Sequence, residues 1–216
     1  MDGLLVDSEV LWHQAELEIL VPLGAAIDAR AARTTKGMFV TEVVVHYHEA
    51  ARWEAPSIDD TVAAILERVG SLVEERGRLL PGALRALELC RRRGPLALAS
   101  STPRELIDRT LAHFGLREAF DVIHSAEDEP YGKPHPGVFL TAADLLGVPP
   151  SCCLVFEDSS AGVLAAKAAT MSCVAVPAAD ERDASTFAVA DLVLDSLADL
   201  DEAWLVAWYD AHALSR

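Results

Sequence analysis

The sequence predicts an α/β protein, a doubly wound parallel sheet interrupted near its start by an inserted block of helices. Three observations carry that prediction. Beyond residue 79, the apolar runs "PLALAS", "FDVIHSA", "CCLVFED", "SCVAVP" and "ADLVL" alternate with helix-length segments. Runs without polar alternation suit strands covered on both faces and joined by right-handed crossovers. From Glu9 to about Arg78 the pattern is helical, and no strand interrupts it. The residues that end the runs, Ser100 and Ser101, Ser125 and Ala126, Glu157 and Asp158, are mostly hydroxyls and carboxylates, at the carboxyl ends of strands where open parallel sheets bind ligands.

The elements follow in order. The opening "MDGLLVDSE" crowds two aspartates and a glycine into a stretch that reads as the loop after a strand. "EVLWHQAELEILVPLG" then places Leu11, Trp12, Ala15 and Ile19 near one helical face, and "SIDDTVAAILERVGSLVEERG" starts at a Ser cap with apolar residues recurring at three and four. After "LLPGALRALELCRRRG" the strand and helix alternation begins. Pro103 falls in the expected first turn of the helix after "LALASS". In "AKAATM", Thr170 stands where a helix-ending glycine is common, which implies local strain.

Composition bounds the function. The 216 residues are 51% hydrophobic and 24% charged, enough to bury a core. A balance of 18 basic against 34 acidic residues leaves a net charge of −16, which argues against nucleic acid and requires a local cation or metal wherever a small anion binds. No apolar run reaches about eighteen residues and the start lacks the order of a signal peptide, so a cytoplasmic protein with no membrane partner is expected. Cys90, Cys152, Cys153 and Cys173 lack metal-ligand spacing and read as reduced packing residues. Nothing marks an interface, so a monomer or weak dimer is expected.

Each candidate site residue admits two readings. In "VFEDSSAG", Glu157 and Asp158 repel each other unless a cation lies between them, which suits an oxygen-ligated Mg2+; a helix N-cap is the alternative. Ser100, Ser101 and Thr102 at a helix N-terminus make an anion site or simple caps. Lys133, between Gly132 and Pro134, offers a compact ammonium to a phosphoryl oxygen or is an exposed turn residue. His46 and His48, two apart on a helix, point to different faces and read as surface or packing residues.

In that order, "DGLLVDSE", "LALASS", "GKPHP" and "VFEDSSAG", with a helical insertion after the first, resemble the haloacid dehalogenase superfamily of phosphatases and phosphomutases. The resemblance covers nearly the whole chain and is narrower still to the branch of β-phosphoglucomutase and the sugar phosphatases. It implies a Rossmann-like core of residues 1–8 and 79–216 with a helical cap of residues 9–78. It also implies Mg2+ as cofactor and a phosphorylated hexose or hexitol as substrate. In the family's DxDG motif the first Asp attacks phosphorus and the second is general acid and base. Asp2 matches the second, so the nucleophile and the strand leading to it are expected just ahead of Met1, and the chain without them is expected to be inactive.

By the same resemblance, Mg2+ would be held by the Asp2 backbone carbonyl, Asp158 and Glu157, while Ser100 and Lys133 hold phosphoryl oxygens. Ser101 and His135 join the substrate side. Two departures favour net hydrolysis over isomerisation. Trp12 replaces the histidine of the mutases, and in "KGMFV" Val40 replaces the arginine that grips a second phosphate. Trp12, Gly37, Met38 and Phe39 then become candidates for contacting the sugar, or are cap core. Gly137 replaces an acid that often orients the lysine, which implies a loosely held Lys133. The alternatives to a phosphatase are a β-phosphoglucomutase-type isomerase and a non-catalytic phosphosugar-binding protein.

Overall fold

The structure is a computed structural model that describes residues 1–27, 38–179, 181–182 and 185–212. The expected helical block contains α1 (Glu9–Leu20), α2 (Val40–Ala51) and α3 (Ile58–Arg76). Ser57 caps α3 by accepting the Asp60 N–H at 3.1 Å. Leu11, Ala15, Val44, Ile65, Val69 and Leu72 form an apolar cluster between these helices, with Trp12 and Ile19 partly buried against it.

The five apolar runs all become strands. β1 (Ala97–Ser100), β2 (Val122–Ser125), β3 (Leu154–Glu157), β4 (Ser172–Ala175) and β5 (Leu192–Val193) alternate with α4 (Ala83–Arg91), which precedes β1, then α5 (Arg104–His113), α6 (Gly137–Leu146) and α7 (Ser160–Ala168), with α8 (Glu202–His212) last. Every ladder is parallel. Its registers put Ser100 beside Ser125 and Glu157 beside Ala175, so polar strand ends lie at one edge. One apolar cluster unites Leu5, Val6, Ala86, Leu98, Ile107 and Leu205. A second joins Val138, Phe139, Val163, Ala166, Cys173 and Phe187, so helices cover both faces. Among the described residues no helix is long and apolar enough to cross a membrane.

The structure differs from a single continuous sheet. β1 pairs with β2, and β4 with both β3 and β5, so the described strands form two separate parallel sheets. Between them lies a cavity of about 570 Å³, lined by Ala97 and Ala99 of β1, Val155 and Phe156 of β3, Met1, and residues of α4, α6 and α8. The backbone groups on the facing edges of β1 and β3 have no ladder partner among the described residues, an arrangement that is costly when buried.

The two links between the helical block and the sheet run side by side. Asp7 N donates to Arg78 O and Leu80 N to Leu5 O, both at 2.9 Å. Pro103 precedes α5 rather than lying in its first turn, because its ψ of 145° is extended. Thr170 has φ of 61°, the left-handed strain read from the sequence. A non-glycine residue pays roughly 1–2 kcal/mol for that conformation. Thr170→Gly is therefore expected to stabilise the fold by about 1 kcal/mol and raise the thermal midpoint by about 2–4 °C in a melting experiment; an unchanged or lower midpoint rules the strain out.

Candidate active site

The loop at residues 1–8, the end of β1 and the end of β3 converge on Asp2. Its Oδ1 accepts hydrogen bonds from Ser8 Oγ at 2.6 Å and from Trp12 Nε1 at 3.1 Å. Its Oδ2 accepts from Thr102 Oγ1 at 2.6 Å. Burial alone would raise the Asp2 carboxyl, but the Met1 amino group and the bonds from Ser8, Thr102 and Trp12 outweigh it and hold it below the usual range. Ser8 and Thr102 escaped the sequence reading as Asp2 partners. Ser8 stands at the cap position of α1 without a capping side-chain bond, and Thr102 lies two residues past β1, so both hydroxyls are engaged with Asp2.

Ser100 is buried, and its hydroxyl donates to Thr102 Oγ1 at 3.1 Å and accepts the Thr102 N–H at 3.2 Å. It therefore joins Asp2 through Thr102. Ser101 beside it is half-buried with no hydrogen bond among the described residues.

Glu157 and Asp158 have different surroundings. Glu157 is buried and pairs with the Lys133 ammonium, and its other oxygen accepts from Ser159 Oγ at 3.0 Å. Burial would raise Glu157, but the charge and hydrogen bond of Lys133, the Met1 amino group and the Ser159 N–H outweigh it and hold it low. Asp158 has no such partner. Burial, then the charge of Glu157, pushes its carboxyl up to about 7. It lies against Gly3, whose φ is +65° and where any Cβ would collide with Asp158 Oδ2. Only glycine serves there.

No group of three or more His, Cys, Asp and Glu side chains among the described residues is arranged to hold a metal. The expected ligand set uses two carboxylates and the backbone carbonyl of Asp2. An unpartnered carboxylate driven up to about 7 beside a second one has the chemistry of a hard-cation ligand, so the donors fit Mg2+.

Lys133 is not loosely held, contrary to the expectation drawn from Gly137. Glu157 grips it, and its Nζ lies 4.8 Å from the centre of the Phe139 ring. The space over Gly137 is taken by Glu129, where a Cβ would collide with Oε2. Glu129 in turn bonds His124 Nε2 at 2.7 Å, and nothing local in the sequence signals that pair.

The remaining candidates divide. Phe39 packs against Gly132, so closely that a Cβ there would strike its ring, and so reaches the Lys133 turn. Met38 is exposed. His135 is exposed, accepts the Gly137 N–H at 3.2 Å and has its ring 5.2 Å from that of Tyr131. Gly37 lies outside the described residues. His48 bonds the Trp53 carbonyl at 3.0 Å, and His46 meets the Tyr47 ring edge-on, in keeping with packing roles.

Comparison with known proteins adds a family and relatives. A model of the haloacid dehalogenase-like hydrolases matches residues 1–170. Hexitol phosphatase B of Escherichia coli is 43% identical over 202 residues, covering 93% of this chain and 91% of that protein. Fructose-1-phosphate phosphatase YqaB of E. coli is 30% identical over 181 residues, covering 82% and 93%. Among solved structures, β-phosphoglucomutase of Clostridium difficile superposes with a TM-score of 0.83 at 26% identity, covering 97% of this chain and 94% of that one. CbbY of Rhodobacter sphaeroides in complex with phosphate has a TM-score of 0.82 at 31% identity, covering 93% of each chain.

Removing one member of the buried Lys133–Glu157 pair leaves an uncompensated charge. Lys133→Met is expected to lower stability by about 3–5 kcal/mol in urea denaturation. Lys133→Met combined with Glu157→Gln should lose clearly less; a double variant as unstable as the sum of the singles would show that the pair is not coupled.

Proposed function

The chain belongs to the haloacid dehalogenase-like hydrolase family, and on that premise we propose that it is a Mg2+-dependent phosphatase of a small phosphorylated sugar, a hexitol or hexose phosphate, acting through an aspartyl-phosphate. The observation that carries the reading is the Asp2 carboxylate, fixed by three neutral donors and paired with no side-chain cation. Such a carboxylate is held in one orientation without a salt bridge, the position the family's motif gives to its general acid and base. The 43% identity to hexitol phosphatase B over 93% of the chain supports the substrate class.

In this reading Asp2 protonates the leaving sugar oxygen and then takes a proton from the water that hydrolyses the phosphoenzyme. In the family's DxDG motif the first Asp accepts the phosphoryl group, and Asp2 holds the place of the second. Ser100, Ser101 and Lys133 hold phosphoryl oxygens. Asp158, Glu157 and the Asp2 backbone carbonyl would hold Mg2+, which when bound supplies positive charge against that of the phosphoryl group. Residues 9–78 form a cap over residues 1–8 and 79–216, excluding water from the sugar. Trp12, Met38, Phe39 and His135 are the candidates to contact the substrate, together with Gly37 outside the described residues. The isomerase reading is weaker because Val40 packs against the apolar cluster of the helical block and offers no charge to a second phosphate.

The decisive assay uses the protein purified from its native cells. With Mg2+ it is expected to release phosphate from sorbitol 6-phosphate or a related hexitol or hexose phosphate. Asp2→Asn in the same chain should lower kcat by about 100-fold or more. No phosphate from the whole panel would sink the reading. Conversion of one sugar phosphate into another favours the isomerase, and binding without turnover the non-catalytic protein.

Mg2+ alone should raise the thermal midpoint by mass action. Asp158→Asn should remove most of that rise, and an undiminished rise in the variant would exclude Asp158 as a ligand.

A further inference from the structure

The turn that carries Lys133 is held at both ends. At the ammonium, Glu157 grips it. At the other end, where the turn becomes α6, Pro136 offers no side-chain cap and the Gly137 N–H is met by His135 Nδ1 at 3.2 Å. Over that junction lies the Glu129 carboxylate. A Cβ on Gly137 would collide with Glu129 Oε2 and come within 3.1 Å of His135 Nδ1. Thr141, one turn further along α6, donates to the same carboxylate.

Glu129 is itself braced by the sheet. Its Oε1 lies 2.7 Å from His124 Nε2, and the Glu129 and His124 side chains are only 8% and 9% exposed. His124 belongs to β2, opposite Ala99 of β1. The next residue, Ser125, donates its hydroxyl to the Thr102 carbonyl at 2.7 Å, and Thr102 binds Asp2. Glu129 thus ties the strand that frames the Asp2 site to the helix start behind Lys133. A carboxylate is favoured at a helix start. Phe139, two residues beyond Gly137, has its ring 4.8 Å from the ammonium, so a shift of the α6 start moves one wall of the Lys133 site.

We propose that Glu129, braced by His124 and Thr141, is a positioning residue for Lys133, fixing the turn from which the ammonium is presented to a phosphoryl oxygen. The inference rests on the reading in which Lys133 holds such an oxygen, and deepens it. Glu157 sets where the ammonium points, and Glu129 sets where its backbone and the Phe139 ring stand. Glu129 acts through the turn and touches no reacting atom.

The test reads the position of Lys133 and its use separately. Lys36, Lys133 and Lys167 are the lysines of the chain, so brief labelling with an amine-acylating reagent, followed by peptide mass analysis, reports on Lys133 with Lys167 as control. Glu129→Leu is expected to raise labelling of Lys133 and leave Lys167 unchanged. In titration calorimetry with inorganic phosphate and Mg2+, the same variant should bind about 10-fold more weakly, the effect of losing a hydrogen bond to a charged group. Glu129→Gln, which keeps the shape, should shift both readouts in the same direction by less, and carries the test if Glu129→Leu does not fold. Unchanged Lys133 labelling and phosphate affinity in the variants overturn the inference and leave the phosphatase reading standing. Equal increases at Lys133 and Lys167 overturn it too, since they mark a general loosening of the fold. If the unsubstituted protein binds no phosphate, the phosphatase reading and this inference fall together.

Discussion

The buried carboxylate of Asp2 joins three parts of the chain. Ser8 reaches it from the cap position of α1, Trp12 from within α1, and Thr102 from the end of β1. Hydrogen bonds to a charged acceptor contribute about 1.5–3 kcal/mol each, and leaving that acceptor without them would cost more. The same bonds therefore satisfy Asp2 and fix where α1 stands relative to the sheet. Gly3 must then turn with positive φ, because Asp158 occupies the space where a side chain would go.

The helical block is tied to the sheet in two unequal ways. Close backbone bonds between residues 5–7 and 78–80 hold the paired links together. Across the surface, Arg109 of α5 binds Glu67 and Glu74 of α3. These ion pairs are largely exposed and screened by solvent, so each adds little.

Charge is arranged against the overall balance. A chain of net −16 is a poor host for an anion. At the strand ends the local order differs. Lys133 pairs with Glu157, while burial and then the charge of Glu157 push the Asp158 carboxyl up to about 7. Glu157 thus compensates a buried ammonium.

The elements that were legible in the sequence are those set by neighbours along the chain. The five apolar runs are strands because their side chains need cover on both faces, Ser57 and Ser159 cap helices because hydroxyls satisfy nearby N–H groups, and Thr170 sits in a strained turn because "AKAATM" offers no glycine. Motif order further marked Asp2, Lys133, Glu157 and Asp158 as a group. What it could not reveal was partnership. That Thr102 and Ser8 bond Asp2 and that Glu129 fills the space over Gly137 depend on which elements meet in space. The separation of the strands into two ladders likewise arises from long-range pairing. Sequence determined local conformation and the chemical inventory, through periodicity, caps and turns that act over a few residues. Tertiary structure decided which carboxylate is paired and which is left without a partner, because desolvation and hydrogen bonding are set by atoms far apart in the chain.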